Sequence, residues 1–246
     1  GILGYGTDIT ERIMIEEKLR REASINLALA ELSNSLIDST FNLKNICLLT
    51  LKYARSLTRS EHGYVSVIDP ANGANLTETL TEMMGNECKV TGKNLKTVFP
   101  PDPDGRYHGL WGYALNTRQP FYTNTPQHHP NAKGTPSGHI PLSNFLSVPA
   151  MIGGRLVGQI ALANNPDGFT DYDLEVIEKL ANLYALALER ARMIENIRIR
   201  EFHLNEAQQR TKFGSWEVNL VTGEVYWSDE MFRLFGQEPG TQIPTF

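Results

Sequence analysis

Residues 146–164 read LSVPAMIGGRLVGQIALAN, two apolar runs separated by Gly153-Gly154. A glycine pair between β-branched and aliphatic runs predicts a hairpin of Leu146–Ile152 with Arg155–Asn164, because two-residue hairpin turns use positive φ, which glycine adopts freely. Upstream, Tyr64-Val65-Ser66-Val67-Ile68-Asp69 reads as a strand and Pro70-Ala71-Asn72-Gly73 as a turn, followed by alternation over Leu76–Glu82. Residues 91–108 carry Pro100, Pro101 and Pro103 with Gly92 and Gly105 and read as a loop. Leu110–Arg118 predicts a short helix and Phe121–Thr123 a short strand. Residues 125–143 form a long loop dense in Pro, Gly and His, and such loops in compact domains are usually functional or disordered.

Helices bracket these strands. Thr10 is a reasonable N-cap for a helix over Glu11–Ala30, which has no Gly or Pro. Ile25, Leu29, Leu32 and Leu36 fall at spacings of four, three and four, which fits a short coiled-coil seam or one face packed on its own domain. A second helix is expected over Phe41–Leu57, with Leu43, Ile46, Leu49 and Leu57 on its apolar face. The last helix is capped by Thr170 and Asp171 and runs from Asp173 to about Gln209, with Ile177, Leu180, Tyr184, Ala187, Ala191 and Ile194 in one stripe. At roughly 1.5 Å per residue, it is longer than a small domain covers, and a parallel copy of itself is the simplest partner. The expected fold class is α+β: an antiparallel sheet with helices on one side, extended by long N- and C-terminal coiled-coil-like helices.

The composition, with 41% hydrophobic and 21% charged residues, is that of a soluble globular protein. A formal net charge of −5 and the lack of a basic run argue against a nucleic-acid partner. No apolar stretch approaches bilayer-spanning length, so no membrane contact is expected in this segment. Two cysteines, Cys47 and Cys88, make no disulfide framework, and a reducing cytoplasm is the simplest compartment. Cys47 lies beside Ile46 and Leu48 and reads as core.

Three segments carry a family resemblance: 109–124 GLWGYALNTRQPFYTN, 134–149 GTPSGHIPLSNFLSVP and 157–169 VGQIALANNPDGF. Together they resemble a subtype of GAF domain found in bacterial and archaeal sensor histidine kinases, usually beside PAS domains. The flanks, GYGTDITER at 4–12 and GSWEVNLVTGEVYWSDEMFRLFG at 214–236, resemble the end of one PAS domain and the start of another. The implied organisation is residues 1–10 as the end of a PAS domain, 11–40 a signalling helix, 41–190 the GAF domain, 191–212 an exit helix and 213–246 the start of a second, truncated PAS domain. The chain is thus expected to be a middle module of a longer modular sensor. A small-molecule pocket on one sheet face is implied. So are a homodimer through the N- and C-terminal helices, a downstream kinase domain in the same polypeptide, and a response regulator beyond it. No phosphoacceptor histidine helix, ATP-lid motif or diguanylate cyclase signature is present, so the chain itself is expected not to be an enzyme.

The resemblance also implies a cofactor reading. Some archaeal sensor kinases similar to this chain carry haem in a GAF domain; by position, Cys88 would be the covalent attachment and His139, between Gly138 and Ile140, the axial ligand to iron. His108 is an alternative iron ligand. Trp111, Tyr113, Phe121, Tyr122 and Phe145 form an aromatic set that lines a flat ligand or is simply core. Set against haem are structural roles for Cys88 and His139, since a histidine in a Pro/Gly-rich loop commonly bonds backbone carbonyls and free Cys is commonly buried. His128-His129 reads as solvated loop rather than metal site, because no further ligand stands at suitable spacing. Three other classes remain: a ligand-free dimerisation spacer, a thiol-dependent methionine sulfoxide reductase for which no resolving cysteine pair is evident, and a cyclic-nucleotide binder whose Asn-Lys-Phe-Asp-Glu set is not recognisable. Bilin attachment is disfavoured because neither cysteine is followed by His.

Overall fold

The structure, a computed structural model, describes residues 10–38, 40–80, 98–135 and 139–241. The chain divides into two compact units, 1–190 and 191–246. In the first, helices α1 (Thr10–Ile37) and α2 (Leu43–Thr58) precede strands β1 (His62–Ile68), β2 (Asn75–Leu80) and β3 (Val98–Phe99). Helix α3 (Gly109–Thr117), β4 (Phe121–Thr123), β5 (Phe145–Ile152) and β6 (Arg155–Ala163) follow, and then α4 (Asp171–Thr211). Among the described residues, six strands pair antiparallel in the order β3-β2-β1-β6-β5-β4. This is the α+β class expected, with long helices at both sequence ends. The two-residue strand β3 lies in a stretch whose prolines suggested only loop. It sits at the sheet edge, where Pro100 and Pro101 interrupt no further pairing.

Local chemistry explains the boundaries. The β5–β6 turn places Gly153 and Gly154 at φ 55° and 77°, left-handed values that glycine adopts without strain. Asn42 caps α2 by accepting from Asn45 N. Thr170 and Asp173 form a reciprocal box at the start of α4: Asp173 N donates to Thr170 Oγ1 and Thr170 N to Asp173 Oδ2. No helix among the described residues is long and apolar enough to cross a membrane.

Period-two alternation divides the sheet into two faces. Val65, Leu146, Val148, Ile160 and Leu162 point into a core shared with Ala28 and Leu32 of α1, Ile46, Cys47 and Leu51 of α2, and Ile177, Leu180 and Tyr184 of α4. Cys47 is fully buried there, as its helix face implied. The seam Leu29–Leu32–Leu36 packs on this core, so the C-terminal half of α1 takes the intradomain alternative rather than offering a free coiled-coil stripe. Along α4 the apolar stripe splits: Ile177, Leu180, Tyr184 and Ala187 are fully buried, whereas Ile194 is exposed.

The second unit contains the end of α4, a hairpin of β7 (Trp216–Val218) with β8 (Val225–Trp227), and α5 (Asp229–Leu234). Ser228 caps α5 through Met231 N, and the same hydroxyl accepts from Ser215 N. Trp227 stacks near Phe232 and Phe235, at 5.5 and 5.0 Å between ring centroids.

Candidate functional site

The sheet face turned away from the helical layer mixes buried polar side chains with a small apolar cluster of Phe145, Ala161 and Ala163. Gln159 on β6 is its hub. Its Oε1 accepts from Tyr64 Oη (3.2 Å) and Asn75 Nδ2 (3.0 Å). Its Nε2 donates to Ser147 Oγ and to the Trp111 carbonyl of α3, both at 2.7 Å. Gln159, Asn75, Ser66 and Ser147 are all fully buried. The amide is saturated, which fixes its orientation and, through it, that of Asn75. Among the described residues, two buried polar atoms on strands β2 and β1 have no hydrogen-bond partner: Asn75 Oδ1 and Ser66 Oγ. Buried polar atoms are normally paired, so each such exception calls for an explanation. Burial also pushes the Tyr64 hydroxyl above its ordinary pKa of 10.0.

Aromatic groups flank the hub in two sets. Trp111 stacks with Phe99 (4.9 Å) and Tyr107 (5.8 Å), and Tyr107 Oη donates to Gly73 O. Tyr113, Phe121 and Phe145 form the other set, with centroids 4.8 and 6.0 Å apart. His129 joins them, 4.9 Å from Tyr113 and 5.4 Å from Phe121. It is half-buried against rings, where its sequence neighbourhood suggested only solvated loop. Tyr122, grouped with the pocket aromatics from sequence, alternates to the opposite face: it packs on the helical core, and its hydroxyl bonds Asp171. That carboxylate raises the Tyr122 pKa.

The two candidate iron ligands among the described residues, His108 and His139, make contacts of their own. His108 occupies the N-cap position of α3, largely exposed, with Nε2 engaged by the Asp102 carboxylate. His139 is half-buried, and its Nδ1 donates to Ile140 O at 2.7 Å. A carbonyl only accepts, so Nδ1 carries a proton, and in a neutral ring with that tautomer Nε2 is the nitrogen open to a metal. Cys88 lies outside the described residues, as do Gly138 and Pro136. Among the described residues, no group of three or more His, Cys, Asp or Glu gathers as a metal site.

Asparagines tie the motif segments to one another. Asn144 and Asn165 exchange side-chain to backbone bonds at 2.7 and 2.8 Å. Asn164, at φ 59°, donates to Pro141 O and accepts from Ser143 N, pinning the loop that carries His139. Asn124 closes a reciprocal pair with the Phe169 backbone. Sequence reasoning passed over Gln159, Asn75 and Ser66. The usable signal was a glutamine in the middle of an apolar strand, which the strand period turns to the face opposite Ile160.

A family model described as GAF domain matches residues 42–189. Among curated proteins, the chain is similar to the methyl sulfide methyltransferase-associated sensor of Methanosarcina acetivorans, 26% identical over 224 residues, which are 91% of this chain and 21% of that protein. The chain thus spans about a fifth of that relative's length. Solved structures with a similar fold include the GAF domain of a phosphoenolpyruvate-protein phosphotransferase from Coxiella burnetii (17% identity, TM-score 0.55, 71% of this chain and 98% of that one). Another is the free methionine-R-sulfoxide reductase of Neisseria meningitidis (14% identity, TM-score 0.51, 69% and 91%). At these identities they speak for the fold alone. The matched residues take in the whole sheet and its polar face and make up more than half of the chain: it belongs to the GAF domain family.

Proposed function

We propose that the chain is a non-enzymatic sensory module in which a small molecule held on the Gln159 face of the sheet changes the packing of the flanking helices. The observation that carries this reading is a connection through the sheet at Ser66. Its side chain lies on the polar face, while its carbonyl accepts from Tyr184 Oη of α4 at 3.1 Å. Tyr184 is fully buried, and its hydroxyl also lies 3.5 Å from Cys47 Sγ of α2. A shift of β1 at Ser66 therefore reaches both helices, and a coupling of about 1–3 kcal/mol is enough to bias a two-state assembly. The sensor name of the Methanosarcina relative supports the reading. In the longer protein, the output is a kinase domain of the same polypeptide acting on a response regulator, with PAS domains on both sides. The exposed Met193, Ile194, Ile197 and Phe202 of α4 supply the apolar surface for a homodimer. Replacing Ile194 by Glu is expected to weaken self-association at least tenfold without lowering Tm, as read by analytical ultracentrifugation; unchanged association would remove the relay.

His139 favours a second reading, haem as the sensed or sensing group. The Nδ1–H bond to Ile140 O suits an axial ligand, and the resemblance supplies Cys88 as the attachment. Haem would provide redox or gas-binding chemistry; the chain's part is to hold the imidazole in one tautomer. An absorption spectrum of protein purified with haem supplied is expected to show a Soret band that survives acid-acetone extraction in wild type but not in Cys88→Ala, and that shifts in His139→Ala. A folded protein with no Soret band would exclude it and leave a small metabolite as the ligand.

A further inference from the structure

We infer that Arg190 is a positioning residue that clamps the end of the entry helix α1 to the exit helix α4, at the last residue of the first compact unit. Helix α1 has no basic residue in its last turn, so its own sequence leaves the negative end of the helix dipole without a cation. Arg190 supplies one from 152 residues away: its Nη2 donates to Asp38 O at 3.0 Å. The same guanidinium lies 4.5 Å from the centroid of the Phe41 ring, which packs on the core just before α2. Asp38 N closes the final turn of α1 on Asn34 O, so Arg190 holds the carbonyl at which that helix ends. A planar guanidinium can stack on a ring and donate to a carbonyl at once, which a compact ammonium cannot.

Glu189, the preceding residue, is tied on another side. Its Oε2 accepts from Arg155 Nη2 at 2.9 Å, at the start of β6. Arg118, in the left-handed conformation at the end of α3, donates to Gly154 O of the adjoining turn at 3.2 Å. The Arg155 side chain is half exposed and water screens its pair, so Arg190 is the stronger arm. Both ties fall just before the point where the stripe of α4 turns from buried to exposed. The inference rests on the sensory reading and deepens it. A displacement of α1 reaches α4 through Arg190 without crossing the sheet, beside the route from Ser66 to Tyr184, so one exit helix has two inputs.

The test is hydrogen exchange of the full chain, read by mass spectrometry. Arg190→Ala is expected to raise exchange over residues 34–38 at least about fivefold, the loss of one charge-assisted hydrogen bond, with β5 and β6 protected as in wild type. Arg190→Lys keeps the charge but not the stacked plane, and should give a smaller rise over the same residues. Phe41→Leu keeps the apolar packing and removes the ring face. It should loosen residues 34–38 and also residues 186–190 of α4, which a merely local role for Phe41 would leave unchanged. Arg192→Ala, exposed on the same helix, is the control and should change neither stretch. Wild-type exchange over 34–38 in Arg190→Ala, or over 186–190 in Phe41→Leu, would overturn the inference. If Arg190→Ala does not fold, wild-type exchange over 34–38 in Arg190→Lys would overturn it instead. The sensory reading fails separately, on the association of Ile194→Glu, in which the clamp takes no part.

Discussion

A Cβ added at Gly158 would lie 2.5 Å from Ser66 O and 2.7 Å from Leu188 Cδ1. The missing side chain leaves room for Tyr184 to reach the sheet backbone, so Gly158 sets the approach of α4. Gly158→Ala is expected to destabilise by about 1–3 kcal/mol, seen as a lower urea midpoint at unchanged m-value. Tyrosine ionisation gives a second prediction. Tyr64 is shifted upward by burial, and Tyr53 and Tyr122 chiefly by hydrogen bonds to Glu31 and Asp171. With folded-state values above the ordinary 10.0, the unfolded chain loses these protons first. Their contribution is therefore complete below about pH 10 and falls as pH rises toward the folded values; a urea-midpoint series across that range should fall less steeply in Tyr64→Phe. Little of this was legible from sequence at the residue scale. Cys47 as core followed from its helix face, but the Gln159 hub depends on contacts between β2, β6 and α3 that no local spacing encodes. His129 was misplaced for the same reason, since rings from α3 and β4 meet it only in the fold.

Elements were far more legible. The Gly-Gly hairpin, β4, α3 and α4 stand where periodicity and capping chemistry put them, because turn φ requirements and cap hydrogen bonds are local. Apolar seams were legible as stripes but not as to what they face. Leu32, at 1% exposure, belongs to the core, whereas Leu27 on the same helix is 56% exposed. Leu32→Ala should therefore cost about 2–5 kcal/mol and Leu27→Ala within about 0.5 kcal/mol, measured by chemical denaturation. Near-equal losses would mean that α1 packs otherwise. The stripe of α4 changes role at Ala191: before it the residues close a core, and after it they stand exposed. The Ile194→Glu effect on association belongs to this second stretch.

For the molecule as a whole, one sheet serves two neighbours: an apolar face holds the helices, and a polar face under α3 holds the Gln159 network. Ser66 belongs to both, through its side chain and its carbonyl. The sensory account therefore requires that a protomer carry a bound molecule and that its helices bring two protomers together. Native mass spectrometry of the full chain, purified with haem supplied, reads both properties at once. The account predicts a dimer with one additional non-protein mass per protomer, and a monomer for Ile194→Glu. A wild-type monomer, or a dimer of the bare polypeptide mass alone, would contradict it.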